Sequence, residues 1–164
     1  TMMFAAAAGA ARKRLWISTP YLVPDDASQV ALAMAKARGV DVRILIPSQP
    51  DQWSVYLAGF YYEKVFAEMG INVYRYRDGM LHQKCVLVDD SLALIGSTNL
   101  DNRSLNLNFE IMVAVGDGAL VAQLAAALEK DFEQALYSNP SVVPLRPWFA
   151  RAGTAVARLF SPIL

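Results

Sequence analysis

Residues 82–100 read HQKCVLVDDSLALIGSTNL, and this stretch decides the fold of the chain. It contains two apolar runs that predict neighbouring strands, at residues 83–89 and 92–96. Side chains two residues apart along a strand project from the same face of the sheet. His82 and Lys84, at the start of the first run, are therefore expected to lie together, whereas Asp89 is expected to face away from them.

The segments on both sides of this stretch alternate between strand and helix patterns. Apolar, β-branched runs predict strands at residues 14–18, 42–46, 71–75 and 109–115. Helices are predicted from Asp25 or Asp26 to about Arg38, from residue 53 to 69, and from the cap Asp117 onward. The last helix repeats apolar residues every four positions, at Leu120, Leu124, Leu128, Phe132 and Leu136. The order β-α-β-α-β-β-β-β-α predicts an α/β fold with a mixed β-sheet flanked by helices.

Length and composition predict one domain, residues 1–137, followed by a tail, residues 138–164. The tail is rich in proline, has no acidic residue and carries Arg146, Arg151 and Arg158 among aromatic residues. Such a segment either contacts an anionic membrane surface or folds back onto the domain, and the sequence leaves both alternatives open. The alanine-rich start, residues 2–11, resembles the end of a helix, so we expect the chain to be part of a longer protein.

The overall composition argues against several classes of function. Hydrophobic residues make up 55% of the chain, charged residues 18%, and the formal net charge is zero, so the basic excess typical of nucleic-acid binding is missing. One cysteine and one histidine cannot form an internal disulfide and do not suit a zinc site built by the protein. No apolar run approaches the roughly 20 residues needed to span a bilayer.

The single histidine and the polar residues near it have the chemistry needed to attack a phosphodiester. A neutral imidazole such as that of His82 is a nucleophile near pH 7. Lys84 offsets charge on the phosphoryl oxygens in the transition state. The hydroxyl of Ser97 and the amide of Asn99 can donate hydrogen bonds to the same oxygens. Glu110 can orient an imidazole by accepting its other N–H.

The complete pattern is H-x-K-x-x-x-x-D, followed after six residues by G-S-x-N, in which Gly96 allows a close approach of the backbone. With this pattern the chain resembles the phospholipase D superfamily, whose members carry an H-K-D motif. The resemblance is closer to the second half of bacterial cardiolipin synthases, through the stretches STPYLVPD (18–25), GVDVRILIP (39–47), GSTNLDNRS (96–104) and LNFE (107–110). It implies a phospholipase-D-like fold and a catalytic set of His82, Lys84 and Asp89, in which Asp89 has a structural or electrostatic role.

The resemblance also implies a reaction, namely phosphatidyl transfer through a phosphohistidine between two phosphatidylglycerol molecules, with cardiolipin and glycerol as products. It implies no metal and no cofactor, and a place at the bacterial cell membrane, either peripheral or anchored through a missing N-terminal part. Such enzymes use two histidines from two H-K-D motifs, and this chain has one. We therefore expect a partner with a second motif, either a missing N-terminal half or a second copy of the chain in a homodimer.

Two other functions are compatible with the same residues. A phospholipase-D-type nuclease or phospholipase would hydrolyse a phosphodiester with the same motif, although the zero net charge argues against nucleic acid as a substrate. A motif-bearing half with one histidine would alternatively serve as a domain for assembly or regulation without turning over a substrate.

Overall fold

The computed structural model describes residues 1–49, 51–138 and 148–163 of the chain. Its helices and strands follow one another in the order α1 (Met2–Ala10), β1 (Arg14–Ser18), β2 (Leu22–Val23), α2 (Asp26–Ala37), β3 (Asp41–Pro47), α3 (Trp53–Glu68), β4 (Asn72–Tyr76), β5 (Cys85–Val88), β6 (Leu92–Gly96), β7 (Leu100–Asp101), α4 (Asn102–Asn106), β8 (Met112–Val115), α5 (Gly118–Glu133), β9 (Ala135–Tyr137) and α6 (Trp148–Leu159). A short 3₁₀ turn, Ser161–Ile163, follows α6.

Within the described ranges, seven strands form one mixed sheet in the order β8-β6-β5-β1-β3-β4-β9. β1, β3 and β4 are parallel, and the strands on both sides of them join antiparallel. The short strands β2 and β7 pair separately as a parallel ribbon. The predicted α/β fold with a mixed sheet flanked by helices is therefore confirmed.

Strand alternation sends buried side chains into two separate cores. Leu15 and Ile17 of β1 pack into one core with residues of α1, α2 and α3, whereas Trp16 packs into the other with residues of α5. β5 shows the same division, with Val86 on the first side and Leu87 on the second. The sheet is therefore covered by helices on both faces.

The apolar stripe of α5 differs from the prediction. The buried residues of this helix are Val121, Ala125, Leu128 and Phe132. Leu120 and Leu136 are exposed, and Leu136 lies in β9. An α-helix has 3.6 residues per turn, so a strict four-residue repeat drifts around the helix and its two ends leave the buried face.

Two strands begin later than predicted, β5 at Cys85 instead of residue 83 and β8 at Met112 instead of residue 109. The ladder between β1 and β5 ends at the pair Ser18 and Cys85, because β1 is followed by the turn at Pro20, which has no N–H to donate. Ahead of β8, the Ile111 N–H donates to the side-chain oxygen of Ser97, at 3.1 Å, instead of to a strand partner.

Gly96 lies where β6 and β8 approach most closely. A Cβ atom added there would lie 2.0 Å from the carbonyl oxygen of Ile111 and 2.7 Å from the sulfur of Met112. The absence of a side chain at Gly96 therefore lets the edge strand β8 pack against β6.

Asp89 holds the start of β1 to the end of β5. Its backbone is in the left-handed region, with φ of 52°, and its carboxylate accepts hydrogen bonds from the N–H groups of Lys13 at 2.7 Å, Arg14 at 2.9 Å and Arg12 at 3.1 Å. Burial alone would raise the pKa of this carboxyl, but the three backbone hydrogen bonds outweigh burial and lower the pKa below its usual value.

Residues 148–163 fold back onto the domain. Ala157 of α6 is buried in the core that contains α3, and Gly153 lies close to Leu57 of α3. The side chain of Asn102 donates to the carbonyl oxygen of Ser161 at 3.0 Å, which ties the turn after α6 to α4.

The predicted boundary near residue 138 falls next to residues 139–147, which lie outside the described residues, so the division into domain and tail stays a prediction. Among the helices described, none is long and apolar enough to cross a membrane.

Replacing Asp89 by Asn is expected to lower the free energy of unfolding by about 1–2 kcal/mol at pH 7, because charge-assisted hydrogen bonds to three N–H groups are weakened. Asn tolerates the left-handed backbone, so the substitution removes the charge and one acceptor oxygen without straining the turn. Since the folded pKa is lowered, the contribution is complete above the unfolded pKa of about 3.9 and is lost as the pH falls through the folded value. Urea unfolding at pH 7, 5 and 3 measures the difference in the free energy of unfolding between the variant and the wild type.

Asp90→Asn, which removes an exposed ion pair with Arg14, serves as the control and should have little effect. A difference independent of pH would contradict the assignment.

Replacing Gly96 by Ala is expected to destabilise the fold by about 3 kcal/mol, because backbone atoms of β8 cannot move out of the way of the new Cβ without leaving the sheet. Gly9→Ala is the matched control, since a Cβ added to that residue of α1 meets no atom within 4 Å. Thermal unfolding of the two variants compares them, and equal stabilities would show that β8 adapts freely.

Candidate active site

His82 and Lys84 lie immediately before β5, at the edge of the sheet where the parallel strands β1 and β3 end. The Lys84 Nζ is 3.0 Å from Nδ1 and 3.2 Å from Nε2 of the His82 ring, and it donates to the His82 carbonyl oxygen at 2.8 Å. The imidazole is exposed and the lysine is half-buried. The predicted pairing of an imidazole with a fixed cation is therefore present, although both residues lie outside the strand.

Three carboxylates act through their charge on the cation of Lys84. Burial lowers the pKa of Lys84, while the carboxylates of Asp51, Glu110 and Asp101 act in the opposite direction by favouring the ammonium form. These three carboxylates come from segments that are far apart in the sequence. The fold therefore brings three carboxylates close enough to Lys84 for their charges to act on it.

Ser97 and Glu110 are joined to each other. The Ser97 hydroxyl donates to the Glu110 carboxylate, and Asn108 donates to the other carboxylate oxygen at 3.1 Å. The hydrogen bond to Ser97 is the main reason why the pKa of Glu110 is lowered. Among the hydrogen bonds of the described residues, Glu110 accepts from Ser97 and Asn108 and not from His82, so its predicted role behind an imidazole stays a prediction.

Asn99 lies on the loop between β6 and β7, and Asp101 is the last residue of β7, directly before α4. The side-chain oxygen of Asn99 is buried and has no hydrogen-bond partner in the described part of the chain. Asp101 caps α4 by accepting from the N–H of Ser104 at 2.5 Å. Burial raises the pKa of Asp101, against the effect of its hydrogen bonds. The predicted phosphate-binding residues Ser97 and Asn99 thus lie on the same loop, beside a buried carboxylate.

Tyr21 and Asp51 belong to this site, and the sequence analysis did not single them out. The Tyr21 hydroxyl donates to Asp51 at 2.6 Å, and burial together with the Asp51 charge raises the pKa of Tyr21. Thr19 positions the loop of Tyr21, since its hydroxyl donates to the Tyr21 carbonyl at 2.9 Å and accepts from the Leu100 N–H at 3.0 Å. Tyr21 is within the stretch STPYLVPD, whereas Asp51 occurs in a polar loop that carries no local signal.

Asp89 does not join this cluster. It follows β5 at the end opposite to His82 and Lys84, and its carboxylate is occupied by the N–H groups of residues 12–14. This placement agrees with the expectation that Asp89 faces away from His82 and does not contact the phosphate. The structural role is the one that fits its contacts.

No group of three or more histidine, cysteine or acidic side chains suited to a metal ion occurs within residues 1–49, 51–138 and 148–163. Cys85 is buried, and burial raises the pKa of its thiol to about 12, so it is not a reactive thiolate. The thiol of Cys85 is thus not a competing nucleophile, and the exposed imidazole of His82 is the candidate.

Comparison with solved structures identifies proteins of similar fold. The chain superposes on the phospholipase D family member Nuc from Salmonella typhimurium with a TM-score of 0.73 and 22% identity, covering 84% of this chain and 90% of Nuc. Phosphatidylserine synthase from Haemophilus influenzae gives a TM-score of 0.74 and 22% identity, covering 98% of this chain and 44% of that one. At these identities the similarity shows the fold.

Comparison with curated sequences identifies closer relatives. Cardiolipin synthase A from Pseudomonas aeruginosa is 46% identical over the whole chain, and the protein of the same name from Pseudomonas putida is 44% identical. The chain spans 34% of the length of each of these relatives. The family model described as cardiolipin synthase, PLD-like domain, matches residues 5–135. Because this match covers well over half of the chain, the chain belongs to the family of PLD-like domains of cardiolipin synthases.

Proposed function

We propose that the chain is one motif-bearing half of a phosphatidyltransferase that makes cardiolipin from two molecules of phosphatidylglycerol. The observation that carries the proposal is the exposed His82 imidazole with the Lys84 ammonium 3.0 Å away, at the open end of the sheet. The relatives named cardiolipin synthase A support this choice of reaction.

The transfer proceeds in two steps with two imidazoles. One imidazole nitrogen attacks the phosphorus of the first phosphatidylglycerol, an N–P bond forms, the P–O bond to glycerol breaks, and the second imidazole protonates the leaving alkoxide. The second imidazole then removes the proton from a glycerol hydroxyl of another phosphatidylglycerol. That oxygen attacks the phosphohistidine, the N–P bond breaks, and cardiolipin is released.

In this scheme the residues around His82 stabilise charge on the phosphoryl group. Lys84 contributes a cation beside the imidazole, and Ser97 and Asn99 contribute hydrogen bonds to phosphoryl oxygens. The Ser97 hydroxyl now donates to Glu110, so it must exchange this acceptor for a phosphate oxygen when substrate binds. Glu110 then becomes free to accept an imidazole N–H.

The second imidazole has to come from a partner, because His82 is the one histidine of the chain. An apolar surface beside the site supports such a partner. It consists of Ile95, Phe109, Ile111 and Val113, which are between 45% and 107% exposed. Ile95 and Val113 are paired across β6 and the edge strand β8, and Ile111 and Phe109 precede β8 next to Glu110. Large exposed apolar patches on an edge strand are typical of protein interfaces.

The reaction is tested by mass spectrometry of lipids after incubation of the chain, together with a second motif-bearing half, with phosphatidylglycerol vesicles. We expect cardiolipin and glycerol, with at least a 1000-fold loss for His82→Ala and at least a 100-fold loss for Lys84→Met, because these remove the reacting group and the neighbouring cation. Met80→Ala, an exposed side chain two residues before His82, is the control and should stay active. Phosphatidic acid as sole product would indicate a phospholipase. Cleavage of nucleic acid without any lipid product would indicate a nuclease.

The partner surface is tested by sedimentation velocity of the isolated chain at tens of micromolar. We expect a dimer, and we expect Val113→Lys combined with Ile111→Lys to give a monomer, because two charges enter the apolar surface. Val30→Lys, at a similarly exposed apolar residue on α2, should leave the dimer intact. A wild-type chain that sediments as a monomer would contradict the homodimer, and a Val30→Lys monomer would move the interface to α2.

A further inference from the structure

The end of the chain has one face on the domain and another in solvent. Gly153 and Ala157 bring α6 against α3. Val156 and Leu159 of α6, and Phe160 and Ile163 just after it, are between 52% and 77% exposed. Four large apolar side chains within eight residues are unusual on a surface without a partner.

The turn after α6 lies beside the segment that carries Asp101. Phe160 precedes Ser161, whose carbonyl oxygen accepts a hydrogen bond from Asn102, the residue after Asp101 of the site. Trp53, which is also exposed, is two residues after Asp51, and two residues of chain span at most about 7 Å. Exposed apolar side chains therefore border the site on the side of α3 and α6.

The charge of this segment suits an anionic surface. Residues 138–164 contain three arginines and no acidic residue, while the whole chain has a net charge of zero. An amphipathic helix with apolar side chains on one face and basic residues in its sequence is typical of proteins that lie in the interface of anionic bilayers. A polyanion in solution would not need the four apolar side chains.

We propose that the exposed apolar side chains at the end of α6 (Val156, Leu159, Phe160 and Ile163) form a membrane-contact surface that rests in the interface of a bilayer of anionic phospholipid. In this position the open end of the sheet faces the lipid headgroups, so a phosphatidyl group can reach His82 without leaving the bilayer completely. This proposal rests on the proposed function for the identity of the lipid, but binding to the bilayer does not require turnover.

The membrane-contact surface is tested by co-sedimentation of the chain with vesicles, without any measurement of activity. Vesicles of phosphatidylglycerol and phosphatidylcholine in equal amounts are compared with vesicles of phosphatidylcholine alone. We expect binding to the mixed vesicles that weakens in 0.5 M NaCl, and we expect Leu159→Glu combined with Phe160→Glu to need at least tenfold more lipid for half-binding.

Met34→Glu is the matched control, because Met34 is a similarly exposed apolar side chain that lies near the end of α2, away from the site. It should bind as the wild type does. Thermal unfolding of the double variant should be unchanged, since both side chains are exposed. This measurement separates a loss of binding from a loss of folding.

Equal binding of the double variant and the wild type would overturn the proposal. A double variant that loses a partner chain in sedimentation velocity while still binding vesicles would assign the surface to protein assembly. Vesicle binding without cardiolipin formation would leave the membrane-contact surface standing and count against the proposed reaction.

Discussion

The antiparallel pairing of β5 with β1 determines where every part of the motif lies. All four residues of β5 are buried, and they alternate between the two cores, so a slip of one residue would move Leu87 and Val86 to the wrong faces. Both ends of the strand are also held by polar contacts. The Asp89 carboxylate accepts from residues 12–14 at one end, and the Lys84 carbonyl accepts from the Gly96 N–H, at 3.1 Å, at the other. With the register held in this way, His82 is presented at the open edge of the sheet.

The site is built by loops that reach this edge from different parts of the chain. Tyr21 precedes β2, Asp51 lies between β3 and α3, and Asp101 lies in β7, so the ribbon of β2 and β7 brings the segments of Tyr21 and Asp101 together. The charges of the Asp51, Asp101 and Glu110 carboxylates favour the ammonium form of Lys84, against the effect of its burial.

Local signals in the sequence were sufficient for the regular elements and insufficient for the contacts between them. β1, β3, β4 and β6 and the helices α2 and α3 occur where apolar runs and caps predict them. β2, β7 and β9 have two or three residues each, too few for a periodic pattern, and exist because of their partners. Within the site, strand alternation predicted the pairing of His82 with Lys84, and the pairing is present although both residues precede β5. The contact between Tyr21 and Asp51 joins residues 30 apart, and no spacing rule links them.

The tail shows why two alternatives that a sequence leaves open need not exclude each other. A helix has more than one face, and α6 packs on α3 through small residues while larger apolar ones point into solvent. Packing against the domain fixes the helix relative to the site, which a freely attached anchor would not do. An interfacial helix held in this way would set the distance between His82 and the plane of the headgroups. The correct placement of a reacting group relative to its substrate contributes a large part of the rate acceleration in catalysis. The fold of the tail and the geometry of the motif would then serve the same purpose, with the sheet orienting the imidazole and α6 orienting the sheet.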